Sequence, residues 1–286
     1  MAVLAFTQEM ATLGKDVVLG VCEALGLQQV RHEVGDHVAG KMQVKKSLIR
    51  RLREGKASRI ERWAADEKTI SIFTAEEVFD LAVAGNVLIR GWGATVLLRP
   101  VAHVPRVRVC SPLELRVRRL MERLETDDEA LAREEIAVDD AAHASRMAAF
   151  VNVTWGDPTL YDLTLNTERI PVATCVDLVV ALARSPKFQE TPESRRCLAD
   201  LALQARARAA LRAREETSGV DIVVEVTAGR VKLRGIVADE REKERCAEVV
   251  AGLAGVQGVE NELQTMAGKL FSFPSQLKDF PSRPKG

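Results

Sequence analysis

The 286-residue chain is predicted to be an α/β protein, a parallel sheet flanked by helices, followed by a small α+β domain. Three observations predict this. The chain opens on a short apolar run, Val3 to Phe6, that passes through a polar loop into Gly14-Lys15 and then an apolar-periodic segment. Strand and helix patterns then alternate as far as about residue 184, the order that a parallel sheet with crossover helices requires. After Gly219 two β-branched runs enclose a glycine turn, which is the pattern of a hairpin.

The length is generous for one core and comfortable for two domains. Lys plus Arg and Asp plus Glu both number 41, so no excess charge argues for nucleic acid or a membrane surface as the main partner. Any anion site must be local. Cys22, Cys110, Cys175, Cys197 and Cys246 are scattered, odd in number and without a CxxC pair, which fits thiols in a reducing cytoplasm better than a disulfide frame or a zinc site. No stretch is long and apolar enough to span a bilayer, and no export signal is legible, so the expectation is a cytoplasmic protein without a transmembrane segment.

In chain order, strand, loop and helix over Val3 to Leu25 have the arrangement of a phosphate cradle, in which loop amides, helix dipole and Lys15 would hold an anion. The match to the phosphate-loop signature is partial, with Glu9 at the first glycine and Asp16 at the magnesium-binding Ser or Thr. A plain strand-turn-helix, with Gly14 relieving a turn and Lys15 solvated, stands beside that reading. His32 and His37 are five residues apart and diverge by roughly 140° on a helix, too far to share one metal ion. Lys41 to Trp63 reads as a basic helix whose charges form a solvated face, with one or two available to a phosphate.

Thr74 to Glu77 looks like a helix start with a capping box. Asn86 to Leu98 is a strand running into a glycine turn, which places Arg90, Gly91 and Gly93 at the crevice where ligands of an open parallel sheet sit. The strand Val104 to Cys110 leads to a helix with Ser111 as N-cap and Pro112 at N1, carrying Arg116, Arg119 and Arg123 on one face. A further helix runs from the cap at Thr126 to Glu129 through His143 and Arg146. Trp155 to Pro158 is a turn, Tyr161 to Leu165 a strand and Val172 to Ala183 a helix. Residues 185–195, polar and with two prolines, read as the linker.

Residues 1–184 resemble the bacterial cytidylate-kinase-like family, a branch of the P-loop nucleoside monophosphate kinases. The resemblance is carried by Trp155-Gly156-Asp157-Pro158 and Leu160 to Thr167, similar to that family's DWxDPxxYDLxLNT signature, and by Val87 to Leu98, similar to its strand and GRGA turn. It implies transfer of the γ-phosphoryl group of ATP, with Mg2+, to a nucleoside monophosphate. By that resemblance Thr12, Leu13, Gly14, Lys15, Asp16 and Val17 would bind the nucleotide, with Asp16 the candidate metal ligand. Lys15, Arg119, Arg123 and Arg146 would be the catalytic cations, and Arg90, Gly91 and Gly93 would meet the acceptor. The sequence departs from the pattern where Trp92 replaces the turn arginine and where His143, three residues after Asp140, replaces the lid's Arg. A neutral histidine is a poorer charge clamp than arginine.

In the last third, a helix over residues 196–215 precedes the hairpin runs Val220 to Val226 and Val231 to Val237, a helix from Asp239 to Leu253 and a final edge strand. That order, with Gly229-Arg230-Val231 and Gly255 to Asn261, resembles the BON domain over residues 196–266, which implies an unknown ligand or protein partner. Residues 267–286 read as a loose tail. Two functions follow: an ATP-dependent, cytidylate-type nucleoside monophosphate kinase with a BON module, or a catalytically weak nucleotide-binding sensor on the same fold.

Overall fold

The computed structural model describes residues 2–30, 33–58, 61 and 66–266. The chain divides into two compact units, one up to Ala205 and one from Arg206.

In the first unit β1 (Val3–Gln8) is the central strand, paired with β3 (Val87–Arg90) on one side and β4 (Arg106–Cys110) on the other. The outer strands are β2 (Gln28–Val30) and β5 (Leu163–Asn166), giving the order β2-β3-β1-β4-β5 with every pairing parallel. The expected parallel sheet is therefore present. Its apolar runs are continuous because both faces are covered. Leu4, Phe6, Leu88, Val107, Val109 and Leu165 form one core with Val17, Val18 and Val21 of α1 (Gly14–Leu25) and Cys175 and Val179 of α8 (Val172–Arg184). Gly20 lets those two helices meet closely, since a Cβ there would lie 2.7 Å from a methyl of Val176.

Between β2 and β3 the chain forms α2 (Glu33–Lys41), α3 (Lys46–Arg53) and α4 (Glu67–Ala84). The single basic helix expected from Lys41 to Trp63 is thus broken, with Gln43 in the left-handed region ahead of α3; residues 59, 60 and 62–65 lie outside the described residues. Helix α4 begins at Glu67 and not at Thr74, because Asp66 caps it by accepting from the Thr69 amide at 3.0 Å. Beyond β3 come α5 (Ala94–Leu97), then α6 (Leu113–Leu124) after β4, and α7 (Glu129–Val151), capped by Asp128. In α6 the cap falls one residue later than expected, on Pro112, and Ser111 is used elsewhere.

Helix α9 (Pro192–Ala213) begins inside the segment read as linker, after a 3-10 turn at Pro186–Phe188. A short helix α10 (Glu215–Ser218) follows it. The second unit's sheet pairs β6 (Val223–Thr227) antiparallel with β7 (Arg230–Val237) and β7 parallel with β8 (Gly258–Thr265). Ala228 and Gly229, at φ 49° and 75°, form the two-residue turn that matches strand twist in a tight hairpin. Val224, Val231, Leu233 and Leu263 are buried in this unit, as are Cys246, Val249 and Val250 of α11 (Glu240–Ala251). Residues 267–286, read as a tail, lie outside the described residues.

Candidate functional site

The ends of β1, β3 and β4 meet along one edge of the sheet, and the loop Glu9–Leu13 rises from its centre. The Thr12 hydroxyl donates to the Glu9 carbonyl at 2.8 Å and closes the loop on itself. Ala11 and Leu13 take left-handed backbone at φ 60° and 58°. Gly14 has no room for a side chain, as a Cβ would fall 2.7 Å from Gln8 Oε1 and 2.9 Å from Gln8 Cβ. The amides of Asp16 and Val17 both donate to the Leu13 carbonyl, so those of Gly14 and Lys15 stand ahead of the helical ladder at the positive end of α1. Lys15 and Asp16 are exposed, whereas Thr12 and Val17 are buried.

Two polar clusters hold this loop from outside. The Glu9 carboxylate accepts from the Arg108 guanidinium and from the Ser111 amide at 3.3 Å, with Arg116 3.5 Å away. Arg108 in turn donates to the Trp155 carbonyl at 2.6 Å and lies over the Trp155 and Tyr161 rings. The Trp155 indole donates to the Thr7 hydroxyl at 3.1 Å and the Tyr161 hydroxyl to the Trp155 carbonyl at 2.7 Å. Arg116 donates to the Met10 carbonyl and makes a bidentate pair with Asp140 at 2.7 and 2.9 Å. In the second cluster the Thr167 hydroxyl donates to the Thr12 carbonyl at 2.7 Å, while Arg119 donates to Thr167 and to the Ser111 hydroxyl. The late segment 155–167 is therefore a brace for the loop 150 residues before it.

Beside the loop lies a cavity of about 330 Å³. Thr7, Gln8, Met10 and Ala11 line it from β1 and the loop, and Arg53, Lys56, Arg90 and Arg123 line it from α3, the turn after α3, β3 and α6. Glu54, Glu135, Asp139 and His143 complete the wall. Several of these charges are already matched. Lys56 pairs with Glu135 at 2.8 Å, which raises the ammonium above its usual range, and Arg90 donates to Gln8 Oε1 at 3.3 Å. His143 stacks on Trp155 with centroids 4.9 Å apart. Burial, and then the neighbouring Arg146, push its pKa down, so it is neutral at pH 7 and adds no positive charge. Acting alone, Asp139 would pull it the other way.

The structure brings the expected residues to different places. Gly14, Lys15 and Asp16 form the first turn of α1, Leu13 precedes it and Val17 faces the core. Arg90, Gly91 and Arg123 line the cavity. Gly93 supplies the left-handed start of α5. Arg119 is engaged with Thr167, and Arg146, half-buried and with its pKa lowered to about 10 chiefly by desolvation, donates to the carbonyls of Leu52 and Arg53 at the end of α3. His37 bonds Glu77 at 2.5 Å, while His32 lies outside the described residues. Arg108, Glu135 and Asp139 were not singled out from the sequence. Glu9 was visible only as a mismatch, because its partner is 99 residues away.

The profile of the cytidylate kinase-like family matches residues 3–169, and that of the BON domain residues 199–267. A cytidylate kinase of Staphylothermus marinus is 24% identical over 116 residues, which cover 41% of this chain and 64% of that protein's own length. An uncharacterized protein from Eubacterium ventriosum superposes with a TM-score of 0.51 at 18% identity, over 65% of this chain and 99% of that one. Shikimate kinase from Bacteroides thetaiotaomicron superposes with a TM-score of 0.39 at 11% identity, over 64% and 99% of the two chains. Among the described residues no helix is long and apolar enough to cross a membrane.

Proposed function

Because the chain belongs to the cytidylate kinase-like family, we propose that its first unit transfers the γ-phosphoryl group of ATP to a nucleoside monophosphate of the cytidylate type. The observation that carries this reading is the conjunction of a helix N-terminus that follows a left-handed Leu13 with no side-chain cap and an adjoining cavity that four cationic side chains line. The name of the Staphylothermus marinus relative supports the choice of acceptor.

On this reading the amides of Gly14 and Lys15, the dipole of α1 and the Lys15 ammonium hold the donor phosphates. The acceptor monophosphate enters the cavity against Arg90. One of its oxygens attacks the γ-phosphorus in line, the bond from that phosphorus to the β–γ bridging oxygen breaks, and ADP leaves with the electron pair. An acceptor dianion has no proton to lose, so the chemistry asks for positioning and positive charge more than for a base. Arg123 supplies charge from the cavity wall, and Arg119 keeps Thr167 against the loop.

Magnesium bound with ATP would supply positive charge that offsets the charge of the phosphates. Asp16, exposed in the first turn of α1, is the carboxylate that would hold it. Magnesium carried by a nucleotide needs only one or two protein carboxylates. For the second unit we infer binding of a small ligand or a protein partner, on the strength of its family match.

The test is ADP production from magnesium-ATP with each common nucleoside monophosphate offered in turn. Turnover with cytidine or deoxycytidine monophosphate, lost in Lys15→Ala, is expected. No turnover above the ATP-only blank with any acceptor would overturn the transfer reading.

A further inference from the structure

The turn after β3 is an unusual place for an aromatic residue. Gly91, Trp92 and Gly93 all have positive φ, at 85°, 59° and 70°. A bulky side chain in left-handed backbone costs on the order of 1–2 kcal/mol, so Trp92 is held there by its contacts. Its ring lies flush on α2, where a Cβ at Gly35 would come within 2.7 Å of Trp92 Cη2 and 3.7 Å of an Ile49 methyl. A further contact is with a cation. The Arg53 guanidinium carbon stands 5.1 Å from the centre of the Trp92 ring, within cation–π range.

Arg53 is the last residue of α3, and it lines the same cavity as Arg90 and Gly91. Its backbone is held separately, since Arg146 of α7 donates to the Arg53 carbonyl and to that of Leu52. Main chain and side chain are therefore fixed by two different elements. A planar guanidinium suits a phosphate dianion because it offers paired N–H donors in a rigid fork. Stacking it on a ring sets the plane of that fork.

We propose that Trp92 is a positioning residue that aims Arg53 into the cavity, and that Arg53 takes the phosphate of the acceptor. The inference rests on the transfer reading for the identity of that acceptor. Trp92 itself touches no reacting atom.

The experiment is calorimetric titration of the full chain with each common nucleoside monophosphate, for wild type, Trp92→Ala, Trp92→Phe, Arg53→Ala and the double variant Trp92→Ala/Arg53→Ala. Acceptor affinity is expected to fall about tenfold or more in Trp92→Ala and in Arg53→Ala, with magnesium-ATP affinity within about twofold of wild type. Trp92→Phe, which keeps a ring face, recovers most of the loss. The double variant is no weaker than Arg53→Ala alone, because Trp92 acts through Arg53. If the protein turns over, the loss appears in the acceptor KM with kcat changed less than about threefold. Undiminished acceptor affinity in Trp92→Ala overturns the inference, as does a parallel loss of ATP affinity, which would mark a general packing defect. Acceptor binding without turnover overturns the transfer reading alone, and binding of no monophosphate overturns both.

Discussion

Glu9 stands where a phosphate-binding loop ordinarily begins with glycine, and the structure gives its carboxylate a structural task. It is the anion shared by Arg108 and Arg116, whose side chains are only 9% and 5% exposed. Removing one partner of a buried charge cluster costs about 3–5 kcal/mol, because the remaining charge keeps its desolvation penalty. Restoring the signature residue with Glu9→Gly should therefore destabilise the first unit by roughly 3 kcal/mol. Glu9→Gln, which keeps an accepting oxygen, should cost less. Urea unfolding checks this, and an unchanged midpoint in Glu9→Gly would refute the account of Glu9 as an anchor. Nothing local in the sequence reveals the pairing, since Glu9, Arg108 and Trp155 meet only after the sheet has formed. Gly14-Lys15 was legible for the opposite reason, as its message lies wholly in neighbouring residues. Trp92 was legible as a departure and not as a platform: its partner is 39 positions earlier, in a basic run whose members look alike until α3 ends at Arg53.

At the scale of elements, the strand-loop-helix opening and the hairpin around Gly229 were readable because period, turn residue and cap agree within a few positions. The start of α4 was not, because Asp66 and Thr74 each open a plausible helix and only the bond from Thr69 to Asp66 decides between them. The opening loop leads to a second prediction. A Cβ on Gly14 would collide with the stem of Gln8, so Gly14→Ala must shift either the loop or β1. Magnesium-ATP affinity should fall at least about tenfold, a cost of roughly 1.4 kcal/mol. Titration that finds wild-type affinity would show the loop to be irrelevant to the donor. Helix α7 leads to a third. His143 is half-buried on it against Trp155, and both desolvation and Arg146 hold its pKa below the usual value. Arg53 presses the same way, while Asp139, with its carboxylate 3.6 Å from the imidazole, opposes them. The unfolded chain thus takes up a proton near pH 6.5 that the folded chain refuses. Stability must rise with pH through that region and fall as pH drops from about 7 towards 5. His103, depressed chiefly by burial, contributes in the same direction. The slope of unfolding free energy against pH should flatten in His143→Gln, and an unaltered slope would mean that His143 does not titrate differently in the two states.

At the scale of the whole molecule, composition places the boundary of the first unit differently from packing. Residues 185–195 look like a linker because they are polar and carry two prolines. Yet a proline is tolerated in the first turn of a helix, and Pro192 opens α9 in that way. The early part of α9 belongs with the first unit, which extends to Ala205. His103, 4% exposed, shares a 2.8 Å hydrogen bond with the Ser194 hydroxyl, Cys197 approaches the Pro100 carbonyl, and Leu198 and Ala202 are buried. Thr191 caps the helix, its hydroxyl accepting from the Ser194 amide at 3.1 Å while its own amide donates to the Ser194 hydroxyl at 3.0 Å. A chain ending at Thr191 would strip His103 of its partner and uncover the apolar surface beneath α9, whereas a chain ending at Ala213 keeps both. Losing one buried hydrogen bond and two apolar side chains amounts to a few kcal/mol, which in a unit of this size lowers the melting temperature by on the order of 5–10 °C. Comparing the two shortened chains by thermal unfolding separates the alternatives. Equal melting temperatures would make residues 192–205 a tether. The expected drop in the shorter chain would make α9 a structural part of the kinase-like unit that also leads into the second.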